Sequence, residues 1–494
     1  MSSLEDLVVE LRAVIAAQAV VIAELRAEVV GLRCEVADLK ARLGKDSGNS
    51  SVPPSRDPVD RRVRRAAERE ARKTARDGVD GATRRPGKQP GTPGATLQRR
   101  TADKVVEYRP DACGGCGDDL DTAVVVGRST RQVIEVPIPK AVVTDHVALR
   151  CRCRCGKETV GAFPPEATGP TCWGPRAKAV AAYLLARQHI PLERCAEAMA
   201  VLFDAPIGEG TLAGILPDAA VRLDPFLTEI GRLLGDSGVV HVDETSIRVG
   251  TKLNWIHTIS TELLTLLSCR PTRGMVELID IGVLTDYSGT IVHDGLGLYN
   301  RPELAGATHA QCGAHLLRHL IDAGNVWKYT PWTTSMRNVL LDAKRASEQA
   351  AAAGLMVVPA EITGPILARY AETLTEAFAV IKVGPPPWKK NTGGWSHADR
   401  TNWNLACRFR DQQPQILRML ENTRVPFDNN EAERSLRMAK LHDKIAGAFR
   451  NPDHARAFCT VRSYIQTGRK HAIDTLDNLT RLWTTSPWLP PSVT

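Results

Sequence analysis

Three acidic residues have the types and spacing that divalent-metal chemistry requires. The run Val239-Val240-His241-Val242-Asp243-Glu244-Thr245 and its echo Thr290-Ile291-Val292-His293-Asp294-Gly295 are each β-branched and apolar up to an aspartate. A buried parallel strand reads as such a run and stops where polar residues appear. Asp243 and Asp294 are therefore expected at neighbouring strand ends with their carboxylates free. The third acid, Glu433, lies in Val425-Pro-Phe-Asp428-Asn-Asn-Glu431-Ala-Glu433-Arg434-Ser-Leu-Arg437, where Asp428 or an asparagine caps a helix. At about 100° per residue, Glu433, Arg437, Lys440 and Lys444 share one face and Glu431 points away. An acid followed by bases along one face suits a metal ligand whose neighbours hold phosphates. The expected chemistry is phosphoryl transfer with two Mg²⁺ ions, Asp243 bridging them and Asp294 and Glu433 each completing one. Taken singly, each aspartate reads as a cap or turn residue and Glu433 as half of an i, i+4 pair. The set of three is what points to a site.

The elements between these acids form a pattern. After the first run come strand-like Leu253–Ser260 and Leu263–Ser268, a helix-like Thr272–Ile281, and then the second run. A short helical piece through Tyr299, a strand-like Thr308–Cys312 and an apolar-periodic helix Ala314–Ile321 follow. Strand, strand, strand, helix, strand is the RNase H-like topology, with first and fourth strands side by side. Asp243 and Asp294 are 51 positions apart, enough for two strands and a helix, but Asp294 and Glu433 are 139 apart. An insertion must fill that second gap. Its main helical pieces are Lys344–Ala353, Pro365–Ile381 and Thr401–Met419, and it carries Trp388, Trp395 and Trp403, which read as core or as platforms for a displaced base.

Upstream, Val8, Ile15, Ile22, Val29, Val36 and Leu43 interleave with Leu4, Leu11, Gln18, Leu25, Leu32 and Leu39 at heptad spacing, as in a parallel two-stranded coiled coil. Residues 45–100 hold 15 Lys or Arg against 7 Asp or Glu, an excess equal to the whole-chain net charge of +8. Such a segment cannot bury enough apolar surface to fold, and Arg61, Arg62, Arg64 and Arg65 would neutralise nucleic-acid phosphates. Cys113-Gly-Gly-Cys116 and the crowded Cys151-Arg-Cys153-Arg-Cys155-Gly156, separated by strand-like Val124–Val126 and Arg131–Val136, suit one structural zinc. Its ligands would be Cys113, Cys116, Cys155 and either Cys151 or Cys153. Pro175–Leu234 reads as helical, with Leu192–Phe203 and Thr211–Leu223 forming either a helix-turn-helix or a plain hairpin. Hydrophobic content of 43% with no run of eighteen apolar residues excludes a helical membrane span, and Glu5, Asp6 and Glu10 stand where a signal peptide would be positive. A cytosolic protein is expected.

The chain as a whole resembles a DDE transposase of the insertion sequence 66 family. The resemblance rests on the early helix followed by Gly44-Lys-Asp-Ser-Gly-Asn-Ser-Ser-Val-Pro-Pro54-Ser55, the cysteine knuckles, His241-Val-Asp243-Glu-Thr, His293-Asp294-Gly295, Cys312-Gly-Ala-His315 with Arg318, and Asp428-Asn-Asn-Glu-Ala-Glu433-Arg434. It implies that the acid before the arginine, Glu433, is catalytic, that DNA is contacted through Arg434, Arg437, Lys440 and Lys444, and that Cys312 and His315 play a supporting part. It also implies cleavage of transposon ends and their joining to target DNA, with small accessory proteins as possible partners. The organisation expected is an α/β protein: coiled coil (1–44, for dimers or higher), basic linker (45–104), zinc module (105–165), helical DNA-binding region (166–234), RNase H-like core (235–321 and 425–452) interrupted by a helical insertion (322–424), and a tail (453–494) with no assigned role. Two other readings are a nuclease that cleaves without joining and a non-catalytic, zinc-containing dimeric DNA-binding protein. The basic arm and dimer seam count against the first, and the three acids against the second.

Overall fold

The structure is a computed structural model, and it describes residues 97–137, 139–326, 331–381 and 397–492. The heptad segment, the linker as far as residue 96 with Arg61, Arg62, Arg64 and Arg65, and Trp388 and Trp395 lie outside the described residues. The described chain divides into two units, 97–137 and 139–492. In the first, the runs Val124–Val126 and Arg131–Val136 expected as strands join no ladder, with Val124, Val126 and Val133 exposed. A strand needs a ladder partner for its backbone groups. Here the Gln132 side chain takes that part instead, accepting from the Arg100 N–H (2.9 Å) and donating to its carbonyl (2.7 Å).

The second unit opens on a short antiparallel hairpin, β1 (Arg150–Arg152) and β2 (Glu158–Val160). Four helices follow: α1 (Pro175–Ala182, running on into a π-turn at Tyr183–Arg187), α2 (Leu192–Phe203), α3 (Glu209–Arg222) and α4 (Asp224–Gly235). The α2–α3 connection turns at Asp204, in the left-handed region (φ 51°), and buries Ala205 and Ile207. α3 turns Leu212, Ile215 and Ala219 into the core, and its Asp218 accepts from the Trp483 indole.

The sheet is five-stranded in the order β5-β4-β3-β6-β7: β3 (Val239–Val249), β4 (Lys252–Ser260), β5 (Thr265–Arg270), β6 (Thr290–His293) and β7 (Thr308–Gln311). β3, β4 and β5 pair antiparallel, whereas β3–β6 and β6–β7 are parallel, so the first and fourth strands are neighbours. The β3–β4 turn has two residues, and Gly250 supplies the positive φ (57°) such a turn demands. α5 (Met275–Asp280) makes the crossover from β5 towards β6.

After β7 comes α6 (Gly313–Val326), then the insertion: α7 (Pro331–Ala352), α8 (Ala360–Val380), α9 (His397–Asp411), α10 (Gln413–Ile416) and α11 (Arg418–Glu421). These helices have a hydrophobic core of their own around Trp332, Tyr370 and Phe409, apart from the cluster under the sheet. Trp403 packs edge-on against Phe378 within it, as a core residue does.

The chain returns to the sheet with α12 (Asn430–Ile445), α13 (Pro452–Lys470) and α14 (Thr475–Arg481). Residues 453–492, expected as a tail without an assigned role, thus form part of the packed fold. The edge strand β5 points the N–H groups of Thr265 and Leu267 outward, two residues apart, and α13 meets them with Thr467 and Ser463, four apart on its own spacing. The match between strand and helix periods closes an edge that would otherwise be open to another strand. Among the described residues no helix is long and apolar enough to cross a membrane.

Candidate active site and zinc knuckles

Asp294 follows directly on the last residue of β6, as its sequence predicts. Asp243 does not end its strand: it is the fifth residue of an eleven-residue β3. The parallel register with β6 stops at His241–Val292, but the antiparallel register with β4 runs on to Val249–Lys252. β3 therefore runs on past β6 with β4 along one side and, on the other, only a bridge at its far end between Val249 and Phe449. Its backbone groups on the vacated side find side chains instead: the Glu244 N–H donates to Asp243 Oδ1 (2.8 Å), and the Val242 carbonyl accepts from Asn429 Nδ2 (2.7 Å).

Asn429 is fully buried at the head of α12. Its Oδ1 accepts from His241 Nδ1 (2.9 Å), and its own N–H donates to Cys312 Sγ (3.3 Å). The side chain does not cap the helix. It moors the helix to β3 one residue before Asp243, and the Glu433 N–H bonds the Asn429 carbonyl (3.1 Å), so Glu433 stands one turn in from that mooring. Asp428 Oδ1 takes the Asn430 N–H (3.1 Å).

Glu433 faces α6, with Oε1 3.6 Å from His315 Nδ1 and 3.8 Å from Arg318. Glu431 is engaged elsewhere, by Arg434 (3.0 Å) and by Lys470 of α13 (3.3 Å). Sequence reasoning separated these two acids by helical angle; the structure separates them by partner. Arg434 is tied to that pair, whereas Arg437, Lys440 and Lys444 are exposed and make no ion pair among the described residues.

Burial pushes the Asp243 carboxyl up to about 7; the charges of Glu244, Asp294 and Glu433 push the same way and the Glu244 N–H opposes them. Asp294 and Glu433 are thus near enough to act on Asp243 although 51 and 190 positions distant. Side chains alternate along a strand. Asp243 shares the α12 side of β3 with His241, and Glu244 turns to the other face, where its carboxylate accepts from the buried Tyr299 hydroxyl (2.8 Å). Burial raises Glu244 as well.

Three residues that hold the site, Arg408, Gln311 and Asn429, have no such role legible in the sequence. Arg408 of α9 donates to the Asp294 carbonyl (3.0 Å) and to Gln311 Oε1 (2.8 Å). Gln311, at the end of β7, donates in turn to Gln412 and Gln415. The insertion thereby grips the loop that carries Asp294. Gly295 belongs to the same arrangement: its φ is 86°, and a Cβ there would run into the Arg408 guanidinium. Asn429 is the third, and only its place before a helix was legible.

Three part-buried carboxylates that repel one another, one of them keeping its proton to about neutral pH, make a donor set suited to a hard dication. Mg²⁺ fits these residues.

The two cysteine knuckles have related local geometry. In the first, the Gly117 N–H bonds the Cys113 carbonyl (2.9 Å) with Gly117 at φ 84°. In the second, the Gly156 N–H bonds the Cys153 carbonyl (2.9 Å) with Gly156 at φ 85°. Backbone N–H groups of Cys116 and Gly115 lower the Cys113 thiol to about 7, and the Cys155 N–H lowers Cys153. Cys151 is a residue of β1 and stands outside the turn. Paired thiols, one in each knuckle acidified by backbone N–H groups, are donors zinc takes.

Fold and site together define a mixed α/β protein with an acidic cluster where its sheet changes from antiparallel to parallel pairing. The family model described as "Transposase IS66 family" matches residues 170–457, more than half of the chain. The protein belongs to the IS66 transposase family. A second model, "zinc-finger binding domain of transposase IS66", matches residues 110–156, both knuckles included, and supports a structural zinc. Comparison with curated proteins gives no match. Family membership carries a transposase role, with DNA as the partner.

Proposed function

We propose that this transposase cuts the ends of an insertion sequence and joins them to target DNA by Mg²⁺-dependent phosphoryl transfer, with Asp243, Asp294 and Glu433 as its catalytic acids. The observation that carries this reading is the adjacency of β3 and β6, which bear Asp243 and Asp294, together with the Asn429 mooring that sets Glu433 one helical turn in from β3. The sheet order, with two antiparallel strands on one side of β3 and two parallel strands on the other, supports an RNase H-like core.

Asp243, Asp294 and Glu433 would hold Mg²⁺, which when bound polarises the scissile phosphate and acidifies a water or a 3′-hydroxyl. The residues' own contributions follow from their contacts. Asp243 gives up the proton it keeps near pH 7, and its carboxylate stays aimed by the Glu244 N–H. Asn429 fixes the distance from β3 to Glu433, and Arg408 fixes the loop of Asp294. Arg318, exposed beside Glu433, offers a fork of donors to a phosphate, and Arg437, Lys440 and Lys444 extend a basic face along α12. Holding acids and phosphate in fixed register is the main source of rate in such transfers.

The arginines Arg61, Arg62, Arg64 and Arg65 add sequence-independent affinity, and the heptad segment pairs two chains so that two ends react together. Cys153 and Cys155 share one knuckle turn, as Cys113 and Cys116 do, and each pair offers thiols to zinc. The test is strand transfer of labelled end DNA into a plasmid with Mg²⁺. Asp243→Asn is expected to abolish both nicking and joining; joining at the unsubstituted rate would remove the site.

A further inference from the structure

Beside the acids lies a second set of donors with a different chemical character. Cys312 Sγ, a ring nitrogen of His315 and a carboxylate oxygen of Glu433 all lie within 4.8 Å of one another. Cys312 immediately precedes α6 and His315 lies in its first turn, where the His315 N–H bonds the Cys312 carbonyl (3.1 Å), and Glu433 meets them from α12. Cys312 is fully buried, and its sulfur accepts the Asn429 N–H at 3.3 Å. His315 Nδ1 is sealed from solvent without a hydrogen-bond partner, 3.6 Å from the Glu433 carboxylate. A ring nitrogen without a hydrogen-bond partner beside a thiol and a carboxylate is open to ligation by a cation.

We infer that Cys312, His315 and Glu433 form a site for one soft divalent cation of the Zn²⁺ class, and that loading it withdraws Glu433 from Asp243 and Asp294. Thiolate and imidazole prefer zinc, while all-oxygen sets suit magnesium. Ligand atoms around a tetrahedral zinc lie about 3.5 Å apart, so the three donors need close by only about 1 Å. The thiol proton leaves to solvent as the cation binds. Three protein ligands leave the fourth position to water. Glu433 is then the one acid shared between a hard-cation site and a soft one, and the two metals compete for it. The competition rests on the function proposed above; the binding does not.

The experiment uses the full chain carrying its knuckle zinc. Calorimetric titration with ZnCl₂, without Mg²⁺ or DNA, is expected to find one further equivalent. Cys312→Ser and His315→Ala each weaken that equivalent by roughly tenfold or more, while Cys407→Ser, in the insertion, leaves it intact. Two substitutions on separate residues keep the test decisive if one does not fold. No further equivalent, or equal binding by all variants, overturns the site. Strand transfer at fixed Mg²⁺ then reads the competition: Zn²⁺ inhibits, raised Mg²⁺ restores the rate, and Cys312→Ser needs more Zn²⁺ for the same fractional loss. Zinc bound at the triad with transfer unaffected overturns the withdrawal of Glu433. Zinc bound with no transfer under any Mg²⁺ condition leaves the site standing and sinks the catalytic reading instead.

Discussion

Replacing Asn429 with alanine will disconnect α12 from β3 and displace Glu433. The wild-type side chain makes two buried hydrogen bonds, to the Val242 carbonyl (2.7 Å) and with His241 Nδ1 (2.9 Å). Alanine leaves both partners unsatisfied in a site with no access to water, at about 1–3 kcal/mol for each, or roughly 2–6 kcal/mol together. The Glu433 N–H bonds the Asn429 carbonyl, so loss of the mooring passes directly to the helical turn that bears the acid. A displacement of about 1 Å in a catalytic group costs on the order of a hundredfold in rate. The assay is single-turnover strand transfer with Mg²⁺ in excess, run beside a denaturation curve of the same preparation. Asn429→Asp sharpens the comparison: it can still accept from His241 but sets an oxygen against the Val242 carbonyl, so it will not rescue. Folded Asn429→Ala protein that joins DNA within about twofold of wild type would refute the view that this residue positions Glu433.

The two acids of α12 will separate by phenotype. Glu433→Gln loses strand transfer by about a hundredfold or more, the scale of removing one electrostatic anchor from a transition state. Glu431→Gln keeps the reaction and lowers stability by about 1–3 kcal/mol through its lost partners Lys470 and Arg434, measured by denaturant unfolding. Arg408→Ala, which frees the Asp294 carbonyl, shifts the Mg²⁺ dependence of transfer to higher concentration. Arg408→Lys does not restore it, because one ammonium cannot bridge both Asp294 and Gln311 as the planar fork does. Acid will weaken the fold through His189 and His442, which burial lowers to about 3 and about 4 and which sit beside the buried Arg462. With folded values below the free value of about 6.5, their contribution is complete above that pH and is lost as pH falls towards 4. Asp243, raised to about 7, works in the opposite direction over the same range. Denaturation midpoints between pH 7 and 5 will fall less steeply in His442→Gln than in wild type.

Legibility followed the range over which the physics acts. Strand identities and order, the helices between β7 and the return to the sheet, and the different faces of Glu433 and Glu431 were readable because apolar periodicity and helical angle are properties of contiguous residues. Val124–Val126 and Arg131–Val136 misled for the same reason: an apolar run marks the capacity to be a strand, and a ladder partner decides whether it becomes one. Cysteine spacing left Cys151 and Cys153 equivalent, whereas hairpin register puts Cys151 in β1 and Cys153 in the turn. The role of residues 453–494 was invisible, since what α13 does depends on the edge of β5 some two hundred positions earlier.

What the amino-acid order determined by itself is the inventory: which acids, which knuckles, which strands and helices, and in what succession. Tertiary structure alone decided how these meet. Asp243 lies inside a strand because β4 outlasts β6 as its partner, and the backbone groups so exposed recruit Asn429 and the aspartate's own carboxylate. Arg408 reaches Asp294 across 114 positions, and no local pattern encodes such a contact. Hydrogen bonds and charges act through a few ångströms of space, and only folding determines which distant residues that space contains.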